Sequence, residues 1–452
     1  MSALRPAIMI FLLLAGLLLL EMLLDSRGYN SKWLKTPHLL SDITASPALP
    51  KPQRIIKERA PQQKETQALE APKLLSDFGT DSMPGLKPLL EALRDRTAHR
   101  KIRIAYFGDS MIEGDLITQD LRALLQASYG GGGVGWLPIT SATAGFRQTV
   151  VHQFSDAWQT HHLGFYRAGM PPPGPTGYAF FLPPQTSAEV TYTAVNRKGL
   201  NTLPSPTLWV GKTSRAQSLN LRFGKTEAQV TVPPSDTYQA IPLSVAEGTQ
   251  RVRLGFPAGW DATLYGMSFE TDTGITLDNF AFRGNSGIPL VRMPIDLLNN
   301  IDRVHHYDLI ILHYGLNVVS EKADNYDWFK RGFNRTLSYL RKAFPTSGFM
   351  VVSVSDKSCN LDGTMSTIPS LPLLVSIQEE LAKNHHTAFW NLYEEMGGSG
   401  TMVKWAESDT AMANKDYTHL NFRGARWVAR ALYNRLVQAS QNNPTITTNR
   451  IH

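Results

Sequence analysis

The chain has 452 residues, more than one hydrophobic core usually supports, so two domains with appendages are expected. Its 42% hydrophobic and 18% charged residues are ordinary for a globular protein, and the net charge of +7 is dispersed along the chain, which argues against nucleic acid as a partner. The single cysteine, Cys359, excludes an intrachain disulfide and a multi-cysteine metal site.

Residues 7–20 read AIMIFLLLAGLLLL, preceded by Arg5 and followed by Glu21. The run has the length of a signal h-region but no small-x-small cleavage site follows it. Residues 1–28 therefore read as an uncleaved signal anchor, with a cleaved signal peptide as the alternative; both place the rest of the chain outside the cytoplasm. Residues 29–85, rich in Pro, Lys, Gln, Glu and Ser, read as a disordered spacer from the membrane.

From residue 86 the pattern changes to a helix, then the apolar run Ile102 to Phe107, then Gly108-Asp109-Ser110, then apolar residues at helical spacing to Tyr129-Gly130. Ser110 has two readings at this point: a nucleophile, or a residue that with Asp109 caps the following helix. The run Gly130 to Gly135 lacks the Gly-Lys-Ser/Thr of a phosphate loop and reads as a helix C-cap feeding a loop beside the site. Over residues 146–274 helical periodicity gives way to short alternating runs, including Ala188–Thr193, Thr207–Val210, Leu219–Phe223, Ala228–Val232 and Gln250–Phe256. These predict an antiparallel β-sandwich inserted into a host domain of residues 86–145 and 275–440. Asp308–His313 and Phe349–Val354 are nearly all apolar, as strands buried on both faces are, and helical patterns separate them, so the host is an open parallel α/β sheet flanked by helices. Residues 441–452 read as a flexible tail.

Four short segments carry candidate chemistry. Beside Ser110 stand Asp416-Tyr417-Thr418-His419, in which a carboxylate three residues before an imidazole can fix its tautomer and leave the other nitrogen as a base. Asn317 follows the strand at 308–313 and can aim an amide at an oxyanion, a contribution of ~3 kcal/mol to the barrier. Gly284 and Gly287 lie in the loop FRGNSGIPL, where a backbone N–H can do the same. The paired histidines at 161–162, 305–306 and 385–386 lack metal-ligand spacing, so neither a metal nor a cofactor is expected.

In this order the segments resemble the four blocks of the SGNH (GDSL-like) hydrolase family. The resemblance implies that Ser110 is the nucleophile, His419 the base and Asp416 its orienting carboxylate. It also implies oxyanion donors at the Ser110 and Gly287 amides and the Asn317 side chain. The chain departs from the family pattern at Met111, where the family name has Leu, and at Val318, where many members carry Asp. A narrower resemblance is to bacterial extracytoplasmic carbohydrate O-acetylesterases of the peptidoglycan type, which carry an inserted sandwich resembling carbohydrate-binding modules. It implies an O-acetylated glycan as substrate, with Trp136, Trp209 or Trp260 as sugar-stacking candidates and Trp136 foremost. Two alternatives stay open: an O-acetyltransferase working with a membrane-bound acyltransferase, and a non-catalytic glycan-binding protein.

Overall fold

A computed structural model describes residues 74–95, 100–195 and 201–442. Its host domain is built on a six-stranded sheet: β1 (Leu75–Asp77), β2 (Lys101–Gly108), β3 (Gly274–Ala281), β4 (Leu309–His313), β5 (Gly348–Val352) and β6 (Ala388–Trp390), in the order β1-β6-β5-β4-β2-β3. The five strands from β2 onward are mutually parallel, and β1 closes the edge antiparallel to β6. All five residues of β4 and of β5 are buried, His313 included, as their nearly continuous apolarity requires when helices cover both faces. The helices are α1 (Lys87–Arg94), α2 (Thr118–Tyr129), α3 (Ile295–His305), α4 (Asp327–Ala343), α5 (Leu371–Asn384), α6 (Leu392–Met396), α7 (Thr401–Glu407) and α8 (Phe422–Asn442).

Residues 74–85, read from composition as the end of the spacer, are ordered instead. Leu75 pairs with Trp390 and Asp77 with Ala388, and the Asp77 carboxylate accepts the amides of Gly79 and Leu86. A three-residue strand between polar segments is too short for a periodicity to register. The apolar N-terminal segment and most of the spacer lie outside the described residues; among the described residues no helix is long and apolar enough to cross a membrane.

Between α2 and β3 the chain leaves the host and forms two antiparallel sheets. One runs Thr226–Val232, Gln217–Phe223, Arg251–Phe256, Ala188–Ala194, Val150–Phe154; the other runs Gln239–Pro242, Pro206–Val210, Leu264–Phe269, Tyr178–Phe181, Gln159–His162. Val190, Leu221 and Leu254 of the first share one apolar core with Leu208, Phe180 and Met267 of the second. The strand Gly135–Leu137 pairs with Leu264–Phe269, so this insert begins before the expected boundary at residue 146.

The glycine run lies at the opposite end of the sheet from the expected one. Helix α2 returns antiparallel to β2, so its C-terminus reaches the amino edge of the strands, where the Ile275 amide donates to Gly130 O at 3.0 Å. There the backbones touch: a Cβ on Gly131 would stand 2.4 Å from Ile275 N, and Gly131 holds φ +101°.

Trp136 is not a sugar platform. Its side chain is 0% exposed, stacked on Trp209 with centroids 4.8 Å apart, at the seam between host and insert. The Trp136 amide donates to Asp278 Oδ1 at 2.8 Å, and Tyr307 OH donates to Asp278 Oδ2 at 2.8 Å; burial pushes the Asp278 pKa up to about 6. Trp209 and Trp260 are buried as well. His305, one of the paired histidines, packs on Trp209 at 4.3 Å, and burial pushes its pKa down to about 3. Trp136→Ala is expected to lower unfolding stability in urea by about 3–5 kcal/mol, the behaviour of an aromatic at a buried seam.

Candidate active site

Ser110 follows β2 at the carboxyl edge of the parallel strands, where open α/β sheets place their ligands. Its Oγ lies 2.8 Å from His419 Nε2, and His419 Nδ1 lies 2.7 Å from Asp416 Oδ2. The Asp416 contact puts the ring proton on Nδ1 and leaves Nε2 to accept from the serine hydroxyl. The loop holding the pair is tied at several points. The amides of Thr418 and His419 both donate to Asp416 Oδ1, Asn414 N donates to His419 O, and Asn421 caps α8 through its bonds from the Arg423 and Gly424 amides. Burial works to raise the Asp416 pKa, but the His419 amide and imidazole outweigh it and hold the carboxyl below its ordinary value.

The capping reading of Gly-Asp-Ser is realised only locally. Asp109 Oδ1 accepts the Met111 amide at 3.0 Å, while α2 starts at Thr118 with Ile117 as its N-cap. No helix N-terminus therefore stands behind Ser110. Between them runs a short 3-10 turn, Glu113–Asp115; Gly114 and Asp115 within it and Ile117 beyond it have positive φ.

A buried ion pair holds that turn. Asp115 Oδ1 and Oδ2 each receive a guanidinium nitrogen of Arg122 at 2.9 Å, and both side chains are 0% exposed. Thr118 Oγ1 donates to Oδ1 at 2.6 Å, Thr149 Oγ1 to Oδ2 at 2.9 Å, and Arg122 Nε to Leu277 O of β3. Burial alone would raise the Asp115 pKa, but the charges of Arg122 and Arg147 bring it down to about 2.

Gly287 and Asn317 meet through Asn285. Gly287 N donates to Asn285 Oδ1 at 2.9 Å, and Asn317 Nδ2 donates both to Asn285 O at 3.2 Å and to Asp109 Oδ2 at 2.9 Å. Gly287 holds φ +84°, and a Cβ there would stand 2.7 Å from the Phe333 ring, so only glycine fits. Gly284 has open space around it. Asn285 and the carboxylate of Asp109 were not singled out in the sequence as parts of the site; the Asp of Gly-Asp-Ser was the available signal, weighed only as a cap. Phe146 of the insert's entry loop stacks on Phe422 at 4.7 Å, just beyond the histidine loop. Cys359, in the hairpin of Ser358–Leu361 and Thr364–Thr367, has its thiol pKa raised by burial and then by Glu321.

Together these features define an open parallel α/β fold of the SGNH-hydrolase type, with an inserted antiparallel β domain. The chain is similar in structure to a solved peptidoglycan O-acetylesterase, with a TM-score of 0.68 and 22% sequence identity over 82% of this chain and 100% of that one. An acetyl xylan esterase (TM-score 0.28, 19% identity, 36% of this chain and 81% of that one) aligns only loosely. So does a family two carbohydrate esterase from Clostridium thermocellum in complex with cellohexaose (TM-score 0.26, 11% identity, 62% of this chain and 99% of that one). No protein-family profile and no curated protein sequence matches the chain.

Two consequences are measurable. Asp115→Ala leaves Arg122 charged and unpaired in the interior and is expected to cost about 3–5 kcal/mol of unfolding stability in urea. Burial raises the Asp109 pKa to about 6, well above the ordinary value of an aspartate, against the opposing charge of His419 and the bonds from Met111 and Asn317. The folded state thus holds this proton more tightly than the unfolded one, and the penalty of the buried charge grows as pH rises from about 4 to about 6. The stability of Asp109→Asn relative to wild type should therefore increase between pH 4 and pH 8, by on the order of 2 kcal/mol.

Proposed function

We propose that the protein is an extracytoplasmic serine esterase that removes O-acetyl groups from a cell-envelope glycan. The observation that carries this reading is the hydrogen-bonded series Ser110 Oγ, His419 Nε2, His419 Nδ1, Asp416 Oδ2, with separations of 2.8 and 2.7 Å, at the carboxyl edge of the sheet. The fold shared with a peptidoglycan O-acetylesterase supports the substrate class, and the apolar N-terminal segment supports the compartment.

Ser110 Oγ attacks the acetyl carbonyl carbon as its proton passes to His419 Nε2, and Asp416 stabilises the imidazolium. The carbonyl oxygen becomes an oxyanion that takes the Ser110 amide and draws on the Gly287 amide and the Asn317 side chain, displacing the contacts these make with Asn285 in the resting state. Collapse breaks the bond to the sugar oxygen, which leaves with the proton from His419. A water molecule, deprotonated by the same nitrogen, then attacks the acetyl-serine and releases acetate. Asp109 keeps Asn317 oriented through this cycle by accepting from its amide.

The test is hydrolysis of a chromogenic acetate ester. Ser110→Ala and His419→Ala should each lower kcat/KM by about a thousandfold or more, and Asp416→Asn by about a hundredfold, with circular dichroism unchanged. Wild-type turnover in either of the first two variants would overturn the assignment. Acetate appearing in solution, with no acetyl group passed to added oligosaccharide, separates hydrolysis from transfer.

A further inference from the structure

Burial removes Trp136, Trp209 and Trp260 as faces for a sugar, which leaves open what surface seats the ring that carries the ester. The exposed aromatic side chains among the described residues include Phe146, Phe165 and Trp328. Phe146, 44% exposed, touches the segments that carry both Ser110 and His419. On the serine side its ring lies against Gly114, where a Cβ would stand 2.5 Å from Phe146 Cδ1, so the glycine makes room for the ring. Gly114 belongs to the turn in which the Glu113 amide donates to Ser110 O at 3.3 Å. On the histidine side the ring stacks on Phe422, with centroids 4.7 Å and planes 23° apart, and Phe422 opens α8 just after His419. Ser110 Oγ and His419 Nε2 are 2.8 Å apart, so a ring in contact with both segments borders the reacting groups.

The ring is held in place by the fold itself. The Phe146 and Arg147 amides both donate to Thr143 O, at 3.0 and 3.2 Å, which closes a turn on one side of it. On the other side Arg147 reaches Asp115 Oδ2 at 3.3 Å, and Thr149 Oγ1 donates to the same oxygen at 2.9 Å. The carboxylate that fixes the serine turn therefore also fixes the segment carrying the ring. Phe422 covers one face and Gly114 abuts Cδ1, so the exposed remainder is a flat apolar surface whose ordering cost is met before anything binds. A lone exposed aromatic is ordinary on a protein surface. This one is set apart by the glycine that admits it and by its contact with both catalytic segments. The C–H face of a pyranose, flat and apolar while its hydroxyls point outward, matches such a surface.

We propose that Phe146 is the platform on which the pyranose ring bearing the acetyl ester stacks, presenting the ester to Ser110. The proposal rests on the esterase reading and makes the sugar ring, as distinct from the acetyl group, the part of the substrate that this residue selects.

The test compares two acetate esters hydrolysed by the full-length chain: 6-O-acetyl-N-acetylglucosamine, which carries a pyranose ring, and ethyl acetate, which carries none. The readout is the ratio of their kcat/KM values, followed by acetate release. Phe146→Leu keeps apolar contact with Gly114 and Phe422 but has no flat face, and should lower the ratio about tenfold, chiefly through KM for the sugar ester. Phe146→Tyr, which restores the face, should hold the ratio within about twofold of wild type. A ring that only braced the histidine segment would slow both esters together. An unchanged ratio in Phe146→Leu, folded by circular dichroism, or an equal loss in Phe146→Tyr, would overturn the platform while leaving the esterase reading standing. If wild type hydrolyses neither ester, the esterase reading fails, and calorimetric titration with ester-free N,N′,N″-triacetylchitotriose decides the platform alone. Binding about tenfold weaker in Phe146→Leu than in wild type supports it, and equal binding, or none in wild type, overturns it.

Discussion

The Asp115–Arg122 pair is the constraint on which the site depends. It is fully buried, and an ion pair in that position stabilises only when every lone pair is matched. The matching groups come from three places: Arg122 and Thr118 from α2, Thr149 from the start of the insert, and Leu277 O, to which Arg122 donates, from β3. The positive φ values at Gly114, Asp115 and Ile117 persist because these bonds over-determine the turn. That turn sets where Ser110 stops after β2, and hence whether its hydroxyl meets an imidazole carried on a loop some 300 residues later.

A second polar knot, around Asn285 and Asp109, holds the other half of the site. Asn317 is gripped from both sides, by a backbone carbonyl and by a buried carboxylate. A carboxylate kept in that environment is costly for the fold, and its position beside the serine is where such a cost is commonly tolerated. The insert contributes as well: Phe146 supports the histidine side through Phe422, and Arg147, the next residue, adds a second guanidinium to Asp115 at 3.3 Å.

The sequence made the host sheet readable because its central strands are covered on both faces and appear as nearly continuous apolar runs. The insert strands with one wet face were readable by alternation; Gln217–Phe223, for example, buries every second residue through Leu221. Leu264–Phe269 escaped because all six of its residues are buried, some in the insert core and Tyr265 in the host core, which erases the period of two. The serine, histidine and aspartate were legible as types at a spacing, and the geometry brings those three side chains together. Trp136 was misjudged because a tryptophan near a glycine run looks the same in sequence whether it faces sugar or a seam. Asn285 was invisible for a different reason: its role depends on the Gly287 amide and the Asn317 side chain reaching it, and that is decided only by the folded arrangement.

The contact of Gly130 and Gly131 with Gly274 and Ile275 also bears on the order of folding. The insert departs and returns at one point, so a collapsed insert already holds the two host segments at hydrogen-bond distance. Without it, registering β3 against β2 requires closing a loop of about 165 residues, an entropic cost that grows with loop length. Collapse of the insert first turns that search into a local one, and the nucleophile's strand then gains its neighbour as if the chain had never left.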